Sequence, residues 1–137
     1  MSKQRLESFV KRIMEGRGDV FAKEMFKEHR GQFISMAKTM EVNERTIAVN
    51  LKKLTEKLFE NQGVNYGYVL SLLMFCVELD KQCKIIHTKW YTTEKMIDIL
   101  VDILLGYNFS PPIYSYNRCN IIYFACFYFV CYLGMGR

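Results

Sequence analysis

Residues 64–77 read Val-Asn-Tyr-Gly-Tyr-Val-Leu-Ser-Leu-Leu-Met-Phe-Cys-Val, and this stretch decides the fold. From Val69 onward, nearly every side of a helix built from it would be apolar. A helix without a polar face lies in the middle of a bundle, surrounded by other helices. Its apolar stretch of about 13 residues is too short to cross a bilayer, which takes ~20 residues. The sequence therefore predicts a central, buried helix.

The start of this helix carries two informative residues. Asn65 can cap the helix, because its side-chain oxygen can accept a hydrogen bond from a free amide of the first turn. Gly67 lies two residues further, in the first turn, and costs about 1 kcal/mol relative to alanine in a helix. Without a side chain, Gly67 allows another backbone to approach closely. The residues alone leave two interpretations open: a simple loop-to-helix junction, or a place where a foreign segment packs.

Amphipathic helices are predicted on both sides of the central helix. Apolar residues recur every three or four positions in four segments before it and in one after it: 3–15, 20–26, 33–40, 47–58 and 96–105. Glycines at positions 16 and 18 either separate the first two segments into two helices or cause only a local irregularity within one helix. Pro111-Pro112 forbids helix continuation. These patterns predict an all-α bundle.

The chain of 137 residues is expected to form a single domain that spans residues 1–137. Its C-terminal segment 121–133 is dense in Tyr, Phe and Cys. The length of this segment suits a buried last helix, and its tyrosines need hydrogen-bond partners there. The alternative is a weak contact with a membrane or with another copy of the chain, which would suit a membrane-anchored structural protein.

The net charge of +5 comes from 19 Lys and Arg residues against 14 Asp and Glu residues. Basic residues are interleaved with acids, as in Lys23-Glu24 and Lys27-Glu28, so we interpret them mainly as solvated helix faces. The alternative is a deliberate basic surface, and with it a basic helical module that binds nucleic acid. No recognition-helix motif supports that module.

No enzymatic activity, cofactor or metal site is predicted. His29 and His87 are the only histidines, and neither lies beside a cysteine or in a metal-ligand spacing. The five cysteines contain no CxxC pair. Because the first residues are polar, we predict no signal peptide and an intracellular, reducing setting.

Two motifs resemble the homology regions of the Bcl-2 family of apoptosis regulators. Leu58-Phe59 and then Gly63-Val-Asn-Tyr-Gly67 are similar to the first region, whose usual core is Asn-Trp-Gly-Arg. Upstream, Met14 followed by Gly18-Asp19 resembles the third region, in which a hydrophobic residue precedes Gly-Asp. The likeness covers roughly residues 9–110. The short chain and its divergence resemble the viral branch of the family, such as proteins of iridoviruses.

The resemblance implies a Bcl-2-like bundle that inhibits apoptosis of the host cell. Such proteins sequester the amphipathic death-motif helices of Bim, Bak or Bax class proteins in a hydrophobic groove. The resemblance places the protein in the host cytoplasm or at the mitochondrial outer membrane. A pro-apoptotic multi-helix member is the alternative within the family.

Transferred position by position, the resemblance implies a defined groove lining. Asn65 would hydrogen-bond the aspartate of the ligand, and Gly67 would admit the ligand helix at short range. The full lining is expected to be Phe21, Met25, Leu54, Lys57, Leu58, Asn65, Gly67, Tyr68, Leu70 and Phe75.

The sequence departs from the family pattern at three places. Tyr68 stands where the family has its groove arginine, so either its phenol or a nearby cation supplies the missing contact; the candidates are Lys53, Lys57 and Arg45. Too few residues precede Gly18-Asp19 for a full first helix, so we expect that helix to be shortened or missing. A second copy would then cover the central helix in a homodimer. The second homology region is blurred near 106–116.

Overall fold

The computed structural model describes residues 3–17, 20–60 and 63–111, without the side chains of residues 20–22 and 25. The described residues form five helices and no strand, which confirms the all-α prediction: α1 (Lys3–Met14), α2 (Val20–Thr39), α3 (Ile47–Phe59), α4 (Tyr66–Ile86) and α5 (Thr93–Gly106). The segment 121–133 lies outside the described residues, and the single domain stays a prediction. None of these five helices is long and apolar enough to span a membrane.

Helix α4 is the central helix, as its apolar sequence predicted. It contacts all four other helices. The core centres on its residues from Val69 to Phe75, each no more than 6% exposed where it is apolar. Burying these side chains supplies the main driving force for the bundle, at roughly 25 cal/mol per Å² of apolar surface.

Helix α4 is longer than its apolar stretch because it carries buried carboxylates that have partners. Asp80 is 4% exposed and accepts hydrogen bonds from the hydroxyls of Tyr91 and Thr93, the latter at 3.0 Å. The Lys84 ammonium lies 3.4 Å from the same carboxylate. Because a buried charge is tolerated only when paired, these contacts let the helix continue to Ile86 and tie it to the start of α5.

Helix α2 runs parallel to α4. The Arg30 guanidinium lies 3.5 Å from the Glu78 carboxylate. Four residues later on both helices, the Gln82 side chain donates a hydrogen bond of 3.2 Å to the Ile34 carbonyl. Residue numbers therefore increase together along the two helices, and this register decides which side chains of α2 face α4.

Helix α1 is short and comes before α2 in the chain. The Phe9 ring contacts the rings of Tyr66 and Phe109, with centroids 6.2 and 5.7 Å apart. The Arg5 side chain donates to the Pro111 carbonyl at 3.2 Å. A first helix is thus present before the Gly18-Asp19 region. It packs on α4 and α5, so this side of α4 is not left uncovered, and the homodimer stays a prediction without that premise.

The buried thiols predict a loss of stability at alkaline pH. Burial, and then the nearby Asp80 charge, raise the pKa of Cys83 from 9.0 to about 11. Below pH 9 the thiol is protonated in both the folded and the unfolded chain. Between pH 9 and 11 only the unfolded chain releases the proton, so the free energy of unfolding falls, by roughly 2 kcal/mol from this group.

Urea denaturation between pH 7 and 11 checks this prediction. Cys83→Ala should show a smaller loss of stability above pH 9 than the wild-type chain, because the variant lacks this titrating thiol. Equal losses in the two proteins would show that Cys83 does not contribute.

Candidate functional site

The junction at the start of α4 is built as the sequence predicted. Asn65 is the N-cap residue, and its side-chain oxygen accepts a hydrogen bond of 2.9 Å from the Tyr68 amide. One turn later, the Ser71 hydroxyl donates to the Gly67 carbonyl at 3.1 Å. Gly67 itself is buried in the first turn of α4. The cap therefore orders the helix start, and Gly67 lies beneath the surface.

Several residues of the predicted groove are core residues. Leu58 and Leu70 are completely buried, Phe75 is 2% exposed and Tyr68 is 8% exposed. The surrounding helices of the same chain cover these side chains. Leu58 and Phe75 are therefore not exposed to a ligand in this arrangement of the helices.

The other predicted groove residues are more accessible or undescribed. Leu54 and Asn65 are half-buried, and Lys57 is exposed on α3. Phe21 and Met25 belong to α2, but their side chains lie outside the described residues. The predicted set is therefore not one continuous open surface among the described residues.

An open cleft of about 300 Å³ lies between α2 and α4, beside the end of α1. Three α4 residues with helical spacing line it, and we call them the floor: Leu70, Met74 and Val77. Ile13 of α1 and Phe26 of α2 complete the apolar lining. Of the predicted groove residues whose side chains are described, Leu70 is the one that lines this cleft, and its side chain is completely buried.

Basic side chains also line this cleft. Lys23, Lys27 and Arg30 follow each other on one face of α2, and we call them the basic row. Lys81 of α4 also lines the cleft. Arg30 and Lys81 share the carboxylate of Glu78, at 3.5 and 3.2 Å. Glu78 is 3% exposed, whereas the side chains of Arg30 and Lys81 are about half exposed, so one buried carboxylate anchors two cations at the wall of the cleft.

The two lysines of the basic row are less constrained. Lys27 lies 3.6 Å from Glu24 in a pair that is exposed on both sides. Such exposed pairs are worth only about 0–1 kcal/mol. Within the described ranges, Lys23 has no carboxylate within ion-pairing distance. Both ammonium groups are therefore available to an acidic partner.

Sequence reasoning missed the functional potential of the basic row. An acid follows each of Lys23 and Lys27, which favours an interpretation as solvated residues. The signal that could have revealed them is their spacing, since Lys23, Lys27 and Arg30 recur at steps of four and three, as the floor residues do. The sequence does not show, however, that the basic row lies beside the floor.

Over the part of the chain that the structure describes, no group of three or more His, Cys, Asp or Glu side chains could hold a metal ion. The absence of enzymatic activity and of a cofactor stays a prediction.

The cleft between α2 and α4 has an apolar lining, basic edges and a floor on one helix. These are features of a surface that binds another polypeptide.

Comparison with known proteins places the chain in a family. The family model of the apoptosis regulator proteins of the Bcl-2 family matches residues 19–110. No curated protein and no solved structure gives a significant match. The matched residues make up about two thirds of the 137-residue chain and contain α2 to α5, including both helices of the cleft. The chain therefore belongs to the Bcl-2 family of apoptosis regulators.

Proposed function

We propose that this protein binds the amphipathic death-motif helix of a pro-apoptotic protein in the cleft between α2 and α4 and so inhibits apoptosis. The observation that carries the proposal is the open cleft along the central helix, whose apolar lining includes the half-buried Val77 and the buried Leu70 and Met74. Helices that bind in grooves insert apolar residues spaced at i, i+3 or i+4, and i+7. The floor residues have the same spacing, so a ligand helix along α4 meets apolar contacts over two turns.

The burial of α1 supports the role of a receptor over that of a death ligand. A death ligand must offer its apolar face to another protein. Here the apolar face of α1, which includes part of the segment that resembles the third homology region, is at most 8% exposed: Leu6, Val10, Ile13 and Met14. This face is already used within the bundle, which favours the inhibitory role over the pro-apoptotic alternative.

The missing groove arginine is best replaced by the basic row. Lys53 and Lys57 lie on α3 and Arg45 precedes it, and none of the three lines the cleft. The basic row borders the floor directly. We therefore assign the charge contact with the ligand to α2. In this arrangement Asn65 and Gly67 act by positioning the start of α4.

Titration calorimetry against death-motif peptides of Bim, Bak and Bax tests the proposal. We expect at least one peptide to bind with a Kd of about 1 μM or tighter, equivalent to roughly 8 kcal/mol of binding free energy. In isolated mitochondria, the protein should reduce cytochrome c release provoked by that peptide's parent protein. Release stimulated by the protein alone would instead support the pro-apoptotic alternative.

We further propose a viral origin and action in the host cytoplasm, at the mitochondrial outer membrane. The resemblance to short, divergent viral members supports the origin, and family membership supports the mitochondrial association. Fractionation of cells that express the full chain tests the location. Recovery of the chain away from mitochondria, with and without bound targets, would contradict it.

The homodimer stays a prediction. Helix α1 covers the side of α4 that a second copy was expected to cover, so an uncovered central helix no longer supports the dimer. Light scattering over a range of concentrations tests it. A molar mass of 16.2 kDa at every concentration would identify a monomer and exclude the dimer.

A further inference from the structure

We infer that the cleft selects helices that carry a row of acidic residues beside their apolar stripe, and that Lys23 and Lys27 recognise this row. The inference rests on the proposed function, because it concerns the same cleft. It adds a requirement on the partner's charge pattern and assigns that requirement to two lysines.

The first argument is the register of the two helices that form the cleft. Because α2 and α4 are parallel, the basic row runs beside the floor in the same direction. Each row spans seven residues, about 10 Å at 1.5 Å per residue. A ligand helix that lies on the floor therefore keeps one flank against the basic row for two turns. An extended acidic row on that flank, and not one acidic residue alone, complements this geometry.

The second argument is the distribution of charge around the cleft. Four cations line it, and among the described residues two carboxylates, Glu24 and Glu78, pair with three of them, which leaves a charge of +2 for this set. Glu78 is buried, so it holds Arg30 and Lys81 in place and does not face a ligand. Glu24 is exposed and competes only weakly for Lys27. The surplus charge therefore comes from Lys23 and from the second cation at Glu78, and Lys27 is also available to a ligand because its exposed pair with Glu24 is weak.

The third argument is the spacing of these two lysines. They lie one turn apart on α2, about 6 Å along the helix axis. Acidic residues at i and i+4 on a ligand helix have the same separation, so each can approach one ammonium. Neutralising one such acid should weaken binding by about threefold to tenfold at low salt.

The test compares each death-motif peptide with a twin in which every acidic residue is replaced by its amide. Fluorescence anisotropy with the full-length protein gives both affinities at 20 and 300 mM salt. We expect the amide twin to bind about 10- to 100-fold more weakly at low salt, and the difference to shrink at high salt because ions screen the pairs.

The variant Lys23→Gln/Lys27→Gln should bind the acidic peptide as weakly as wild-type protein binds the amide twin. Its affinity for the amide twin should be unchanged, since the contact is already absent. The matched control is Lys52→Gln/Lys53→Gln, which removes two exposed lysines of α3 that do not line the cleft. That control should bind both peptides like the wild type.

Each outcome decides a separate point. Equal affinity for a peptide and its twin overturns the inference and leaves the proposed function intact. Equal weakening of both peptides by the Lys23 and Lys27 changes also overturns it, because the lysines would then act through the fold. If no peptide of either form binds protein that circular dichroism shows to be folded, the proposed function itself fails.

Discussion

Replacing Val77 by glutamate is expected to weaken the binding of a death-motif helix by roughly 100-fold, or nearly 3 kcal/mol. Val77 is the half-buried end of the floor, so its side chain is accessible from the cleft. A ligand anchor that docks there would have to cover a carboxylate, and burying a charge without a full set of partners is costly. Anchors of this kind commonly contribute 2 kcal/mol or more.

The fold should tolerate this change. Lys81 lies four residues after Val77, so the new carboxylate can form a helical ion pair in the free protein. The matched control is Val49→Glu on α3, which introduces the same charge at a position that is 51% exposed and away from the cleft. Calorimetry should show normal affinity for the control. Wild-type affinity in Val77→Glu would exclude the floor as the binding surface.

Replacing Phe33 by alanine is expected to lower the free energy of unfolding by about 3–5 kcal/mol. Phe33 is completely buried, and its ring stacks on that of Phe26 with centroids 5.2 Å apart. The cavity left by the ring removes packing that the rigid helices cannot fully restore. Domains are stable by only about 5–15 kcal/mol, so this loss is a large part of the total. Because Phe26 lines the cleft, ligand affinity should fall as well.

Urea denaturation measures the first effect, and peptide titration at low temperature, where the variant stays folded, measures the second. Phe33→Leu retains most of the volume and should cost less than half as much as alanine. A change below about 1 kcal/mol for the alanine variant would mean that the site collapses around the missing ring.

Much of the fold follows from local pattern. The apolar stretch after Val69 predicts the central helix, because a helix that is apolar on all sides is stable only when surrounded. The cap at Asn65 was also predictable, since it involves one side chain and an amide three residues later. Such features depend on neighbours in the chain, and the sequence contains the information for them.

The length of α4 could not be predicted in the same way. Glu78 and Asp80 look like residues that end a buried helix. They are buried because Arg30 of α2 and Thr93 of α5 reach them from distant parts of the chain. No local pattern reveals that these carboxylates have partners, so the apolar stretch underestimates the helix.

For the candidate site, the sequence by itself determined that the central helix starts at a capped junction and that a groove should run along this helix. Only the tertiary structure decided where the open cleft lies. Packing buries Leu58 and Phe75 and leaves a cleft between α2 and α4, in which Val77 is the half-buried residue of the floor. The parallel register of α2 and α4 then places Lys23 and Lys27 beside that floor. The physical reason is that helical periodicity is a local property of the chain, whereas the neighbours of each helix face depend on how separate helices pack together.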